Sequence, residues 1–455
     1  MSRPTAGAPS AHVLENEPTR SFLDADRGAR RMLDPGLVGY RRFRSWFTRP
    51  LLTRPVILDA AETSRLDHDL PVLLRTLQAL PDRLFGGDQE AFARSLGWTQ
   101  PGLPSVLDLL SGPAVPLGRA DLVRGPSGFQ VVEFNTSSSL GSFEFGELCR
   151  AALADPAFGG FAEQEGLYHL DPLAMMVDTL LELMGLDLTA RPTIALVDWV
   201  SSPIAVNASL FLDLVRDLGF KVVVCTVKDL ELTGKGLYAH GERIDVVYRT
   251  FLLKTVAEDA AAAELLRPLA QAVRSGAAHL FSPLNADLFG SKAAMALLSD
   301  SRHRDRFTPD ELDVVDRVLP WTRSMAEADT VPADQEGSLA EYVLRHRGEL
   351  VLKPSIGHAG QGVVAGWLAS PTEWAELART AARGDYIVQR RAPSVAERFQ
   401  VTAEGPASAC YLHWGLFVTG AGFSGGFVKG LLDREQDIRY LGDGSHVGCV
   451  FHSTN

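Results

Sequence analysis

Residues Gly118–Leu140, GRADLVRGPSGFQVVEFNTSSSL, decide the fold of this chain. A short strand, a Gly-Pro-Ser-Gly turn and a second strand of alternating residue types predict a β-hairpin. We favour the register that pairs apolar residues with apolar residues, because a shift by one position would pair polar with apolar residues throughout. That register predicts four pairs: Arg119 with Asn135, Ala120 with Phe134, Asp121 with Glu133, and Leu122 with Val132.

One surface of this hairpin is predicted to be polar. It carries Arg119, Asp121, Glu133 and Asn135, which we call the polar hairpin face. The two carboxylates and the amide oxygen form a hard oxygen set, which suits Mg²⁺ held together with substrate phosphates. The alternative is a solvated surface with an arginine–carboxylate pair, since charged faces are common in proteins. The hairpin alone leaves both interpretations open.

Composition narrows the class of protein. The chain has 455 residues, of which 46% are hydrophobic and 22% charged, as in ordinary globular proteins of several domains. The formal net charge is -12 and no Lys/Arg-rich run of five or more residues occurs, so we expect no nucleic-acid partner. Four widely spaced cysteines, no apparent signal peptide and no long apolar run predict a cytoplasmic protein with reduced thiols and no membrane contact.

Changes in pattern along the chain predict five units in an α/β (α+β) protein with a helical N-terminal region. They are a disordered tail over 1–20, a helical region over 21–98, the hairpin with its helices over 99–190, a parallel α/β domain over 191–284, and the remainder over 285–455.

The fourth unit alternates strands and helices. Apolar strands over 193–200, 221–227, 244–249 and 279–284 are separated by helical segments, which predicts a parallel sheet. No Gly-x-Gly-x-x-Gly follows the first of these strands, so a dinucleotide-binding site is not indicated.

The last unit carries candidate anion-binding residues. Lys292 begins a predicted helix, and Lys353 ends a strand that leads directly into a loop with Gly357, Gly360 and Gly362. Glycines allow close approach of backbone N–H groups to an anion, and a neighbouring lysine adds charge. An ordinary hairpin turn and a solvated lysine are the alternatives. Gln389 lies on a strand, where an exposed amide is the default interpretation.

Taken in order, these features resemble the circularly permuted ATP-grasp ligases. The order is Gly-Arg-x-Asp at 118–121, Glu-x-Asn at 133–135, a helix with Lys292, Leu-Lys-Pro with a glycine-rich loop at 352–362, and Ile-Val-Gln at 387–389. The chain looks most like the synthetase domain of glutathionylspermidine synthetases, from about residue 115 to 430. The resemblance implies an ATP-grasp-like, circularly permuted fold with a glycine-rich lid, a pre-ATP-grasp-like domain over 191–284, and ATP and Mg²⁺ as cofactors.

The resemblance also implies roles for individual residues. Asp121, Glu133 and Asn135 would bind Mg²⁺, and Arg119 would steady the transferred phosphoryl group. Residues Ser137 to Ser139, with Ser138 and Ser139 as catalytic candidates, would approach the γ-phosphate or the substrate carboxylate. The remaining roles fall on the nucleotide: Lys292 and Lys353 at the phosphates, Gly357, Gly360 and Gly362 in the lid, Gln389 near the adenine, and Lys429 where the family tends to carry an arginine.

The activity that follows from the resemblance is ATP-dependent ligation of a carboxylate to an amine through an acyl phosphate. The partners would be a small-molecule carboxylate, such as an amino acid or short peptide, and an amine. A phosphotransferase on the same scaffold and a non-catalytic binding protein are the alternatives. Substrate identity and oligomeric state stay open at this point.

Overall fold

The chain folds into a mixed α/β structure, described here from a computed structural model. The described residues are 13–25, 38–200, 209–326, 331–332, 335–357, 360–400, 407–431 and 445–454. Most of the predicted tail lies outside these ranges. Its predicted end is wrong, because a helix begins within it at Glu17.

The strands, in chain order, are β1 Val56–Leu58, β2 Gly118–Gly125, β3 Gly128–Thr136, β4 Ile194–Asp198, β5 Val222–Thr226, β6 Glu231–Thr233, β7 Gly236–Ala239, β8 Glu242–Ile244, β9 Val246–Arg249, β10 His279–Phe281, β11 Thr322–Ser324, β12 Leu350–Pro354, β13 Val364–Ala365, β14 Tyr386–Arg390, β15 Ala396–Gln400, β16 Ala407–Thr419, β17 Gly422–Leu431 and β18 His446–His452.

The α-helices are α1 Glu17–Ala25, α2 Val38–Trp46, α3 Ala60–Gln78, α4 Leu80–Phe85, α5 Gln89–Ser95, α6 Leu103–Leu110, α7 Gly146–Ala154, α8 Pro156–Gln164, α9 Pro172–Leu183, α10 Ser209–Asp217, α11 Leu253–Glu258, α12 Ala262–Leu265, α13 Arg267–Arg274, α14 Ala286–Phe289, α15 Lys292–Leu298, α16 Pro309–Val318, α17 Leu339–Arg345 and α18 Pro371–Ala381. In the described part of the chain, none of them combines the length and apolar character needed to cross a membrane.

The predicted hairpin forms from β2 and β3, and three of its four predicted pairs are correct: Arg119 with Asn135, Ala120 with Phe134, and Asp121 with Glu133. The fourth is wrong. Leu122 pairs with Val131, and the register shifts between Asp121 and Leu122. Val132 is therefore the extra residue of a β-bulge, which the alternation of residue types does not reveal.

The hairpin lies at the edge of the largest sheet, in which the strand order is β1-β18-β17-β16-β2-β3 and β15 also pairs with β16. Strand β16 lies beside β2, with Gly415 opposite Asp121. The C-terminal strands thus belong to the sheet of the hairpin, whereas β11 to β14 form a sheet of their own. The unit predicted for 285–455 is divided between these two sheets.

A second sheet is the predicted parallel one. Strands β10, β9, β4 and β5 lie in this order, and all three pairings are parallel. Between β5 and β9 the chain adds the small antiparallel sheet β6-β7-β8, which the sequence pattern does not predict.

The N-terminal region is helical, as predicted, but it also contributes a strand. Strand β1 pairs in parallel with β18, so that Val56 lies opposite Val450. Asp59 caps helix α3 with a full capping box. The predicted capping boxes that begin with Thr308 and Ser338 are also present, and Asp171 caps α9. The four cysteines are buried and free.

Charged side chains at the back of the large sheet form a buried ion group. Glu397 on β15 accepts hydrogen bonds from Arg54 at 3.0 Å and from Arg124 at 3.1 Å. All three side chains are buried. The group therefore connects the segment before β1 with β2 and β15.

Loss of the negative charge in this group should destabilise the protein. Glu397→Gln leaves the buried Arg54 guanidinium without its counter-ion, whereas Arg124 keeps its ion pair with Glu62, so we expect the free energy of unfolding to fall by about 3–5 kcal/mol. The matched control is Asp316→Asn, which breaks an exposed pair with Arg304 and should cost less than about 1 kcal/mol. Urea denaturation of both variants measures the difference. Equal, small losses would contradict a stabilising role for the buried group.

Candidate active site

Two cavities adjoin at the polar hairpin face. Both are lined by Arg119, Asp121, Glu133, Gly360 and Lys429. Each is open to solvent; the spaces measure about 960 Å³ and about 1540 Å³. The shared residues form a common wall, so a molecule in one cavity can present a group to a molecule in the other.

The smaller space, which we call the apolar cavity, lies between the hairpin and the sheet β11–β14. Its apolar lining includes Val132, Val351, Val363, Trp367 and Ala392. Arg391 stacks over the Trp367 ring, with 3.9 Å between the guanidinium carbon and the ring centroid. This apolar and aromatic lining suits a flat, largely apolar group such as a heterocyclic base.

The larger space, the polar cavity, lies on the other side of the hairpin face. The residues that line only this cavity include several with hydrogen-bonding or charged side chains, among them Arg49, Asn135, Ser137, Ser139 and Lys254. Lys254 and Asp287 come from the segments that follow strands β9 and β10 of the parallel sheet. The cavity therefore lies where ligands bind in open α/β sheets, outside the carboxyl ends of the strands.

The carboxylate of Asp121 is held by its neighbours on the hairpin face. Arg119 donates two hydrogen bonds to it, from Nε to Oδ1 at 2.8 Å and from an Nη to Oδ2 at 3.2 Å. Asn135 donates from Nδ2 to Oδ2 at 3.3 Å. Burial lowers the pKa of Arg119, but the charges of Asp121 and Glu133 outweigh it and the pKa is raised. The guanidinium group stays charged at the shared wall.

Lys292 reaches the hairpin face from the first turn of α15. Its Nζ donates to Glu133 Oε1 at 3.0 Å and to the Gly357 carbonyl at 3.1 Å. Ser291 caps this helix, which fixes where the lysine leaves the backbone. One ammonium group thus joins the hairpin to the start of the glycine-rich loop.

Lys353 reaches the hairpin from β12. Its Nζ donates to the Val132 carbonyl at 2.9 Å and to Gln389 Oε1 at 2.6 Å. Burial lowers the pKa of Lys353 to about 8, with a smaller lowering from Lys292 and opposing contributions from Glu133 and Asp121. Lys353 therefore titrates well below an exposed lysine.

Lys429 on β17 behaves in the same way. Burial lowers its pKa to about 8, and the positive charges of Arg119 and Arg49 add to the lowering, whereas Asp121 opposes it. Arg119, Lys292, Lys353 and Lys429 thus converge on a wall that carries two carboxylates. The excess of positive charge favours a polyanionic ligand.

The glycine-rich loop borders both cavities. Gly360 and Gly362 adopt a φ of +72°, a left-handed backbone conformation that favours glycine. A Cβ atom at Gly362 would lie 2.8 Å from Cγ of Pro354, so close packing also requires glycine there. The central loop residues 358–359 lie outside the described ranges.

The serines after β3 divide between the cavity and the interior. Ser137 and Ser139 line the polar cavity, and their hydroxyl groups are 2.7 Å apart. Ser138 is buried; its hydroxyl donates to the Arg249 carbonyl at 2.6 Å and accepts from the Ser282 N–H at 2.8 Å. A catalytic role for Ser138 is therefore corrected to a structural one, because both its donor and its acceptor are used inside the protein.

The oxygens of Asp121, Glu133 and Asn135 fit Mg²⁺ only in company with a ligand. They come from three side chains on one face, two of them carboxylates, and among the described residues no group of three or more His, Cys, Asp or Glu side chains could hold a metal. Mg²⁺ usually takes one or two carboxylates plus substrate phosphates. The set therefore suits a cation shared with a phosphate ligand.

Several residues that line the cavities cannot be predicted from the sequence. Trp367, Arg49 and Lys254 lie far from the hairpin in sequence and belong to no motif. Thr322 lines neither cavity but accepts a hydrogen bond from Gln389, and it too belongs to no sequence motif. The only available signal is the aromatic or charged side chain itself, and such residues are common on protein surfaces.

Comparison with known proteins shows what the fold resembles. No family model matches the chain, and no match was found among curated proteins. Among solved structures, the chain is similar to a glutathione synthetase-like effector from Globodera pallida, with 13% identity, a TM-score of 0.55, and coverage of 96% of this chain and 98% of that one. The two chains share one fold.

A weaker similarity is to a candidate gamma-glutamylcysteine synthetase from Methylobacillus flagellatus, with 10% identity, a TM-score of 0.41, and coverage of 83% of this chain and 87% of that one. This TM-score is too low to show that the two chains share a fold.

Anion binding at the shared wall should weaken as the pH rises through 8. Lys353 and Lys429 lose their charge there, because burial holds both pKa values at about 8. The affinity for ADP with Mg²⁺, measured by calorimetry, should fall at least about tenfold between pH 7 and pH 9.5. Binding at pH 8 should also take up protons, since bound phosphates favour the charged lysines. A constant affinity over this range would contradict the lowered pKa values or their proximity to the phosphates.

Proposed function

We propose that this protein is an ATP-dependent carboxylate–amine ligase with a circularly permuted ATP-grasp architecture. The observation that carries the proposal is the common wall, where two cations and two carboxylates separate an apolar cavity from a polar one. Two further cations lie next to this wall: Lys292 pairs with Glu133, and Lys353 lines the apolar cavity. Such a wall allows the triphosphate of a nucleotide to face a carboxylate substrate.

ATP would lie with its base in the apolar cavity and its phosphates against the wall. Lys292 and Lys353 would contact the phosphates. Two contacts support this proposal: Lys292 bridges Glu133 on the hairpin and the Gly357 carbonyl, and Lys353 bridges the Val132 carbonyl and Gln389. Lys429 borders both cavities, where it can approach the γ-phosphate.

Mg²⁺ would be held by Asp121, Glu133 and Asn135 together with the phosphates of ATP. When bound, it neutralises charge on the phosphoryl oxygens during transfer. Arg119 and Lys292, which pair with the two carboxylates in this structure, can then turn to the ligand phosphates.

The carboxylate substrate would bind in the polar cavity with its oxygen directed at the γ-phosphorus. Attack by that oxygen forms an acyl phosphate and releases ADP, with Arg119 placed to stabilise the charge on the transferred group. The amine nitrogen then attacks the carbonyl carbon, phosphate leaves, and the nitrogen loses a proton to give the amide. The substrates would be a small carboxylate, such as an amino acid or short peptide, and an amine.

Exclusion of water is required, because an acyl phosphate otherwise hydrolyses. Gly357 and Gly360 border the polar cavity, and Gly360 borders the apolar cavity as well. This loop is in position to cover the junction when ligands are bound.

The shared fold with the glutathione synthetase-like effector supports a synthetase-like activity at this coarse level. The nature of the carboxylate and of the amine does not follow from it.

Product analysis tests the proposal. The protein is incubated with ATP, Mg²⁺ and pools of amino acids, short peptides and amines, and the products are identified by mass spectrometry. We expect a condensed amide together with ADP and phosphate in equal amounts. A stable phosphoester with ADP would identify a phosphotransferase instead, and the absence of Mg²⁺-dependent ATP turnover with every pool would count against an enzyme of either kind.

Glu133→Gln should abolish turnover and leave the fold intact. The substitution removes a negative oxygen from the proposed metal set, while the amide can still accept from Lys292. We expect a rate at least about 100-fold lower in a protein that remains folded at the assay temperature. Asp213→Asn is the matched control, since this exposed carboxylate lines neither cavity. Near-normal rates in Glu133→Gln would remove Glu133 from the reaction.

A further inference from the structure

A chain of hydrogen bonds runs through the sheet β11–β14 to the cleft. The Thr322 hydroxyl donates to the Pro320 carbonyl at 2.7 Å, and Gln389 Nε2 donates to Thr322 Oγ1 at 3.1 Å. Lys353 Nζ then donates to Gln389 Oε1 at 2.6 Å and to the Val132 carbonyl at 2.9 Å. The chain ends on the bulge of the hairpin.

The register of the sheet brings these side chains together. Thr322 lies directly opposite Gln389, and Lys353 lies opposite Ile387, two residues before Gln389. Residues directly opposite, or diagonal by two positions, project from the same face of a sheet. Thr322, Gln389 and Lys353 are all buried, so the contacts between them are shielded from water.

The direction of each hydrogen bond is determined. A hydroxyl has a single proton, and that of Thr322 is used on the Pro320 carbonyl, so its oxygen can only accept from Gln389. The amide nitrogen of Gln389 must therefore face Thr322, and the amide oxygen must face Lys353. A flipped amide would set two donors against each other at Lys353 and two acceptors against each other at Thr322.

Gln389 consequently has both ends of its amide engaged within the protein. The resemblance implies a position near an adenine, and Gln389 does line the apolar cavity, but one proton of its amide nitrogen and one lone pair of its amide oxygen are already used on Thr322 and Lys353. We propose that Gln389 is a positioning residue that holds the ammonium group of Lys353 at the shared wall, and that Thr322 fixes the orientation of Gln389. The proposal rests on the proposed function in one respect, which is that Lys353 binds nucleotide phosphate.

The acceptors of Lys353 explain why such positioning is useful. Arg119 and Lys292 are paired with carboxylates, whereas Lys353 donates to an amide and a backbone carbonyl, which are neutral. The neutral acceptors fix the ammonium group without cancelling its charge, and they use two of its three protons. The charged groups that face Lys353 are Glu133 and Asp121 on the hairpin and Lys292 on α15.

Thr322 provides the first test, because it lines neither cavity and cannot touch a nucleotide there. Thr322→Val removes the hydroxyl that orients Gln389, whereas Thr322→Ser keeps it. We expect Thr322→Val to bind ATP with Mg²⁺ about tenfold more weakly, and Thr322→Ser to restore wild-type affinity. Thermal unfolding confirms that both variants are folded. Equal affinities for ATP in the two variants would overturn the role of Thr322.

The choice between ATP and GTP provides the second test. Gln389→Met removes the amide that holds Lys353 and should weaken ATP and GTP by the same factor, about 10- to 100-fold. If Gln389 instead read the base, the ratio of the two affinities would change. A changed ratio, or an unchanged affinity for both nucleotides, would overturn the proposal.

The pH dependence separates positioning from a general loss of structure. Gln389→Glu places a carboxylate against Lys353 and should move the fall in ATP affinity to higher pH, whereas Gln389→Met should move it to lower pH. A structural defect would weaken binding without these opposite shifts. Shifts in the same direction would contradict the proposed contact.

Lys353→Met separates the proposed phosphate-binding role of Lys353 from the proposed positioning role of Gln389. If this variant binds ATP as the wild type does, the phosphate-binding role of Lys353 in the proposed function is wrong. If it loses affinity while Gln389→Met and Thr322→Val do not, the proposed function stands and the positioning role alone is wrong.

Discussion

Burial of one face of the hairpin is the constraint on which the site depends. Ala120, Leu122, Val131 and Phe134 are all buried, and their burial requires that the alternate residues point away from the core. A shift by one residue would bury Asp121 and Glu133, and an unpaired buried charge costs far more than the hydrophobic contacts could offset. The apolar pattern of two strands thereby places a guanidinium group, two carboxylates and an amide on a single surface, before any ligand is present.

The bulge at Val132 gives the hairpin a backbone carbonyl that accepts a hydrogen bond from Lys353. It breaks the ladder at a position where the Val132 carbonyl turns to Lys353 instead of a neighbouring strand. The same lysine is held from the other side by Gln389, within the sheet β11–β14. One ammonium group thus connects the two halves of the cleft, and the cavities on either side of the hairpin face acquire their common wall.

Whether a feature can be predicted from the sequence depends on how far apart along the chain the interacting residues lie. The hairpin pairs from Arg119 to Asp121 and the capping box at Thr308 are local, so residue patterns predict them correctly. The parallel sheet follows from the alternation of strands and helices. The pairing of Gly415 with Asp121 and the approach of Trp367 to the cleft depend on contacts between distant segments, and no local pattern encodes them. The bulge is local, but the alternation of residue types in the hairpin does not reveal it. Ser137 and Ser139 face the polar cavity and Ser138 does not, and the backbone at Ser137 has a φ of +118°. Three identical neighbouring residues do not show in the sequence which of them faces the cavity.

The most direct test of nucleotide binding at the polar hairpin face is a crystal structure of the protein with Mg²⁺ and a non-hydrolysable ATP analogue. We expect the base in the cavity beside Trp367, the phosphates within hydrogen-bond distance of Lys353 and Lys292, and a metal between the phosphates and the carboxylates of Asp121 and Glu133. A nucleotide bound elsewhere on the protein, or phosphates that point away from the hairpin face, would contradict the central claim that this face is the site of phosphoryl transfer.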